Sequence, residues 1–216
     1  MNSLLKLFFT LLLGSIQANL FAQNTDVDLL KSINKTETTF KNGYAEVTTG
    51  SVTFTGIAAP AGIALVGFIK RDRKLKLDAL YMSIAFLVNT SVTQLTKHVV
   101  NRKRPFADYP FIKRRINEDA WLSFPSGHTS SAFCTATSLS VRYPKWYVII
   151  PSYLYAVSVS WGRMYQGVHY PSDVLAGAFV GAGSAWLGWK AQKWFSGKKE
   201  QKKKPDGLSL LKEPLP

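Results

Sequence analysis

Five stretches without a charged side chain divide residues 51–189, and they decide what this chain can fold into. They run Ser51 to Ile69, Ala79 to Thr96, Gly127 to Val141, Trp146 to Gly162 and Val174 to Trp189. Segments of about 17 to 20 residues cross a hydrocarbon core of about 30 Å when little tilted. The third stretch is weaker, being rich in Ser, Thr and Ala; the fifth is rich in Gly and Ala. Small residues of this kind let helices approach closely in lipid. Trp146, Tyr147, Trp161, Trp186 and Trp189 stand at stretch ends, where interfacial aromatic side chains belong. No period-two alternation and no internal repeat is visible. The expected fold is all-α, a polytopic membrane bundle of five transmembrane helices, or six if the N-terminal segment stays attached. A soluble all-α bundle with buried helices is the alternative, and the mean hydropathy of zero keeps it open. Against it, five such stretches leave little amphipathic surface to face water.

The flanks divide the rest. Residues 1–22 read as a signal peptide or an uncleaved signal anchor. Lys6 precedes an apolar core from Leu7 to Leu13, and a small-residue cut is offered after Ala22, although Leu20 departs from the usual pattern. Residues 23–50 are polar and exported in this scheme. They carry a short amphipathic piece around Val27, Leu29, Leu30 and Ile33 that could cap the bundle or lie on the membrane surface. Residues 51–190 form the membrane domain. Residues 191–216 form a basic cytoplasmic tail, charged and Pro-containing from Gly197 onward, with no expected order there.

Charge fixes an orientation for the five spans. With an exported N-terminus, the inner loops are Lys70 to Lys76, the turn near Arg142 and Lys145, and the tail with Lys198, Lys199, Lys202, Lys203 and Lys204, as the positive-inside rule asks. The loop from Lys97 to Phe124 breaks the rule. It lies outside yet holds Lys97, Arg102, Lys103, Arg104, Lys113, Arg114 and Arg115. Cations kept there against the usual bias imply a task on that side. The net charge of +14 points to anionic partners. No nucleic-acid partner is expected, because the cations adjoin apolar spans, where lipid headgroups are the neighbours. The single cysteine, Cys134, falls in an apolar stretch and reads as an inert buried thiol.

Three strings lie at the outer ends of the spans. They are Lys97-x6-Arg104-Pro105, Pro125-Ser126-Gly127-His128, and Arg163-x5-His169-x3-Asp173. Phosphoryl transfer needs a nucleophile in line with the leaving oxygen, an acid for that oxygen, and donors for the equatorial oxygens. His169 offers the nucleophile. Pro171 suits a first helical position, so Asp173 can sit in the first turn and accept from Nδ1–H of His169, leaving Nε2 free to attack. His128 offers the acid, at a turn into a helix whose first N–H groups suit an anion. Ser126 adds a hydroxyl, and Gly127 lets the backbone come close. Lys97 is a point charge and Arg104 a planar fork for phosphate oxygens. No cluster resembles a metal site. His98, next to Lys97, reads as interfacial or structural.

Together these strings resemble the three-part signature of the type-2 phosphatidic acid phosphatase and haloperoxidase superfamily, over about residues 51–190. The resemblance implies a phosphohistidine on His169, His128 as acid and base, and Asp173 as orienter. It implies phosphate held by Lys97, Arg104, Ser126, Gly127 and Arg163, with no metal and no cofactor. One departure stands out. The family usually has Ser before the third-motif arginine, and this chain has Gly162. Membrane members typically have six spans, against five here without the N-terminal segment.

The function expected is metal-independent dephosphorylation of a membrane lipid phosphate or diphosphate, on the periplasmic side of a bacterial inner membrane. The implied substrates are phosphatidic acid, phosphatidylglycerol phosphate, undecaprenyl pyrophosphate or lipid A. The loop Phe106 to Phe124 is expected to choose among them, with Lys113, Arg114 and Arg115 favouring multiply anionic headgroups. Two rivals stand: a non-catalytic lipid-phosphate binder or transporter, and a vanadate-dependent haloperoxidase. Nothing in the sequence decides the oligomeric state.

Overall fold

The structure, a computed structural model, describes residues 25–117 and 121–203, with side chains through Trp194. The proposed signal segment therefore lies outside the described residues. Eight helices follow in order: α1 (residues 25–34), α2 (Thr39–Gly50), α3 (Val52–Ile69), α4 (Arg73–Val100), α5 (Pro105–Asp108), α6 (Gly127–Arg142), α7 (Trp146–Tyr165) and α8 (Pro171–Lys203). The fold is all-α, as the uncharged stretches predict. An isolated antiparallel bridge between Lys103 and Leu122 is the one β-type pairing among the described residues.

Two of the helices, α2 and α4, begin at a side-chain cap. The Asp72 carboxylate accepts from the N–H groups of Lys74 (2.7 Å) and Leu75 (3.3 Å) and starts α4. Asn101, in the left-handed region at φ 51°, ends it. Thr38 caps α2, accepting from Lys41 N–H at 3.2 Å.

The weakest of the five stretches lies at the centre of the fold. α6 packs against α3, α4, α7 and α8. Enclosed on all these sides, it needs small side chains more than apolar ones. Thr129, Ser130, Ala132, Cys134, Ala136 and Ser138 are its buried residues, with Thr137. Val52, Ala132, Ala136, Ala156 and Val159 form one core cluster; Tyr81, Met82, Ala85, Cys134 and Ala185 form another. Ser130 is paired inside the bundle: it donates to Asn89 Oδ1 and lies 3.0 Å from Thr93 Oγ1.

The outside of the bundle is the apolar side. Phe54 is 72% exposed, Leu87 66%, Leu154 61% and Phe179 78%, on four different helices. A bundle with polar groups inside and large apolar side chains outside is built for a non-aqueous surrounding. By length and composition, Val52–Ile69 and Arg73–Val100 are apolar enough to cross a membrane. At about 1.5 Å per residue, the 28-residue α4 is about 42 Å long.

Two details differ from the sequence reading. α8 does not stop near Trp189 but continues to Lys203, so residues 197–203, expected to lack order, are helical. Residues 39–50, expected only to be polar, form α2, which lies along α7.

α6 and α8 approach backbone to backbone. A Cβ built on Gly181 would lie 2.1 Å from Ser130 O and 2.9 Å from Cys134 N. Both contacts are backbone, so a helix must move to relieve them. Gly181→Ala is therefore expected to destabilise the fold by about 1–3 kcal/mol, the usual cost of overpacking. A lower melting temperature in detergent than for Gly183→Ala checks this, since Gly183 has open space beside it.

Candidate active site

The helices alternate in direction, so the end of α4, the start of α6, the end of α7 and the start of α8 meet at one end of the bundle. A cavity of about 480 Å³ opens there. Lys97, Arg104, Gly127, His128 and His169 line it, drawn from all three sequence strings. Val52, Thr53, Thr90, Thr93 and Gln94 continue its wall down α3 and α4, and Trp121 and Leu122 stand over it.

Local structure explains each placement. Lys97 occupies the last turn of α4 and donates to Leu122 O at 2.9 Å. Arg104, 2% exposed, is the residue just before α5, and Pro105 opens that helix. Ser123 N–H donates to Arg102 O (2.8 Å) and its hydroxyl to Lys103 O (2.9 Å), which ties the first string to the segment entering the second. Ser126, fully buried, is the N-cap residue of α6, and no side chain caps that helix. Its first-turn N–H groups stand at Gly127 and His128 on the cavity wall. Ser126 N–H itself donates to Asp173 O at 3.0 Å, joining the second string to the third.

The third string spans the connection from α7 to α8. Arg163, 1% exposed, lies in the last turn of α7 and donates to Gln166 Oε1 at 3.1 Å. Gly167, at φ 73°, turns the chain toward His169. Tyr170 is the residue before Pro171, and Asp173 Oδ2 accepts from its N–H at 2.9 Å. That is the reciprocal half of a capping box, here made by an aspartate.

The expected hydrogen bond between Asp173 and His169 is not closed. Nδ1 of His169 lies 3.7 Å from Asp173 Oδ2, beyond bonding range. The carboxylate is held instead by Tyr170 N–H and by Arg102, whose Nη1 lies 2.8 Å from Oδ1. Resting catalytic sites often carry such long contacts, which tighten with substrate. Burial holds the His169 imidazole well below its usual pKa of 6.5, and the nearby charges of Arg163, Lys97 and Arg104 push it the same way. The ring is therefore neutral, the form that can attack.

Gly162 has a steric cause. A Cβ there would lie 2.8 Å from Thr49 Cγ2, because α2 presses on α7 at this point. Thr49 in turn accepts from Gln166 Nε2 at 2.9 Å, so a hydroxyl from α2 reaches the third-string arginine through Gln166. Of the outer cations, Arg115 is engaged elsewhere: it donates to Glu37 and to Asn34 O, and its guanidinium lies 4.8 Å from the Tyr165 ring centre. Arg114 is engaged too: its Nε donates to Ile116 O at 2.8 Å and its guanidinium lies 4.9 Å from the Phe106 ring centre. His98, exposed, bonds through Nδ1 to Gln94 O within its own helix, away from the cavity lining.

Sequence reasoning missed Arg102, Asp26, Thr49 and Gln166. Arg102 was one cation among several, Asp26 and Thr49 lie far along the chain from the groups they meet, and Gln166, three residues after Arg163, carries no motif signal of its own.

Known proteins with this arrangement can now be compared. The family model described as PAP2 superfamily matches residues 78–196. The chain is 32% identical to the undecaprenyl-diphosphatase of Sulfolobus acidocaldarius over 57% of its length and 58% of the relative's. It is 26% identical to the lipid A 4′-phosphatase of Bacteroides thetaiotaomicron, covering 77% and 76%. The bacitracin transport permease protein BcrC of Bacillus licheniformis is 33% identical, covering 60% and 63%. The chain thus spans about six tenths of the length of two of these curated relatives. Among solved structures, the transmembrane PAP2-type phosphatidylglycerolphosphate phosphatase of Bacillus subtilis superposes with a TM-score of 0.65 at 28% identity, covering 88% of this chain and 94% of the other. LpxE of Aquifex aeolicus superposes with a TM-score of 0.60 at 28% identity, covering 76% and 93%. With its three strings gathered on one cavity and more than half its length matched by the family model, the chain belongs to the PAP2 superfamily.

Proposed function

We propose that this chain hydrolyses a membrane lipid phosphate or diphosphate through a phosphohistidine. The observation that carries the reading is the single cavity lined by two histidines and two cations at one end of an apolar bundle. In the first step Nε2 of His169 attacks phosphorus. The N–P bond forms, the P–O bond to the lipid breaks, and His128 gives its proton to the departing oxygen. In the second, His128 takes a proton from water. The water oxygen bonds phosphorus, the N–P bond breaks, and inorganic phosphate leaves. Lys97, Arg104 and Arg163, with the hydroxyl of Ser126 and the backbone at Gly127, hold the equatorial oxygens as charge builds. Asp173 orients the imidazole. Among the described residues no group of three His, Cys, Asp or Glu side chains could hold a metal ion.

In this reading α3, α4, α6, α7 and α8 are five membrane spans within a phosphatase domain of residues 51–190. Residues 1–22 are a signal peptide or a signal anchor, the site faces the periplasm of a bacterial inner membrane, and the basic C-terminal residues are cytoplasmic. The exposed apolar belt and the charge pattern support this. The relatives' names suggest phosphatidylglycerol phosphate, a polyprenyl diphosphate or lipid A as substrate. The permease name of one relative favours a second reading, a lipid-phosphate transporter or binder. One assay separates the two. Purified protein in mixed micelles is offered each lipid, and phosphate release is followed. Release is expected to persist in EDTA, to be blocked by vanadate, and to show kcat/KM at least about tenfold higher for a long-chain lipid phosphate than for its short-chain soluble analogue, because the bilayer confines the headgroup at the depth of the cations. Binding without release would support the transporter; loss in EDTA with recovery on adding a divalent ion would sink the metal-free mechanism.

A further inference from the structure

An arginine that no part of this chemistry uses is bound to the carboxylate at its centre. Arg102 lies two residues before Arg104 and is 25% exposed at its side chain. Its Nη1 donates to Asp173 Oδ1 at 2.8 Å and to Ser172 Oγ at 2.7 Å, and its Nη2 donates to Asp26 Oδ2 at 3.1 Å. The guanidinium lies 3.8 Å from the ring centre of Tyr170, so its plane is held as well as its edge. Asp26 belongs to α1, yet its carboxylate also accepts from the N–H of Ser172 at 2.8 Å and from the Ser172 hydroxyl. An acid from the start of the described chain thus serves as the cap of α8, where an N-cap side chain would normally stand. Leu30, fully buried against Ile112 and Tyr170, anchors α1 in place.

These contacts leave Asp173 little freedom. One oxygen is fixed by Arg102, and the other by Tyr170 N–H. The lone pairs that remain on Oδ2 face Nδ1 of His169, 3.7 Å away. A carboxylate fixed at both oxygens is turned in one direction toward the imidazole.

We propose that Arg102 is a positioning residue for Asp173, and that Asp26 on α1 holds Arg102 to that task. The proposal rests on the reading of Asp173 as the group that orients His169. It makes α1 a working part of the site, although it lies upstream of the family-model match. Arg102 does not line the cavity, which separates it from Lys97 and Arg104. Its loss should therefore slow the chemistry rather than loosen substrate.

The test is a double-mutant cycle on the full chain in micelles, with Arg102→Ala, Arg102→Lys, Asp26→Asn, Asp173→Asn and Arg102→Ala/Asp173→Asn. Arg102→Ala is expected to lower kcat on the order of 10- to 100-fold, the scale of losing an outer partner of a reactive group, with KM within about threefold. Arg102→Lys should recover part of that loss, and Asp26→Asn should lose less than Arg102→Ala. The double variant should be no slower than Asp173→Asn alone, because both changes remove one interaction. Three results would overturn the proposal: kcat within twofold of the parent in Arg102→Ala, a rise in KM alone, or losses that multiply in the double variant. If Arg102→Ala fails to fold, Asp26→Asn carries the test alone: kcat unchanged there counts against the proposal. Asp173→Asn keeps full activity only if the orienting reading itself is wrong, so the two failures are distinguishable.

Discussion

His169→Ala is expected to abolish phosphate release, by on the order of 10⁶-fold where the assay can follow it, as removal of the nucleophile does in another hydrolase. The methyl group cannot form the N–P bond, and no other side chain on the cavity can take its place without moving. His128 shares the cavity but opens the central helix α6, and the Ser126 backbone beside it is tied to Asp173 O. Protein from labelled lipid phosphate, quenched at alkaline pH where an N–P bond persists, should carry label in the parent and none in the variant. Turnover by the variant, or label on Ser126, would move the nucleophile elsewhere. The same residue sets a pH dependence. Because burial and three cations hold its pKa well below 6.5, the attacking neutral form persists as the medium is acidified. The acid limb of kcat/KM that belongs to His169 should accordingly fall well below pH 6.5. Fold stability responds in the same window. Below pH 6.5 the unfolded imidazole binds a proton that the folded one refuses, so this residue's contribution declines as pH falls toward the lowered value. His169→Ala should flatten that decline in thermal melts.

The cavity was legible in the sequence because two independent signals agree on it. Uncharged stretches that form helices of alternating direction put Lys97, His128 and His169 at one end, and the residue types in the three strings fit one reaction. What stayed illegible is contact over long sequence separation. Asp26 meets Ser172 across 146 positions, and Gln166 meets Thr49 across 117. Neither Asp26 nor Thr49 differs from an ordinary surface residue until α1 and α2 are folded against the end of the bundle. Arg115 shows the converse. As a sequence it is one of three neighbouring cations awaiting an anion, yet Glu37 from the α1–α2 connection already supplies one. The centrality of α6 was hidden by its own composition: a helix enclosed by four others can do without large apolar side chains, which weakens the signal by which spans are recognised.

His128→Ala is expected to divide the reaction into its two halves. His128 is assigned as acid in the first and base in the second, so a poor leaving group such as a lipid alkoxide loses its proton donor, and kcat should fall by about 10²- to 10⁴-fold. An aryl phosphate behaves differently. Its phenolate leaves without a proton, so His169 can still be phosphorylated at a useful rate, while water still lacks its base. The phosphoenzyme should then accumulate. In the parent, aryl phosphate hydrolysis would be steady from the first turnover. In the variant, a burst approaching one phenolate per chain should precede a slow steady rate, and alkaline-quenched protein should carry a matching amount of label on His169. Arg104→Ala offers the contrast: it removes a fork for phosphate oxygens and should slow both steps with no burst. Equal slowing of aryl and lipid substrates in His128→Ala, without accumulated label, would mean that His128 only binds phosphate and that proton transfer belongs to another group on the cavity.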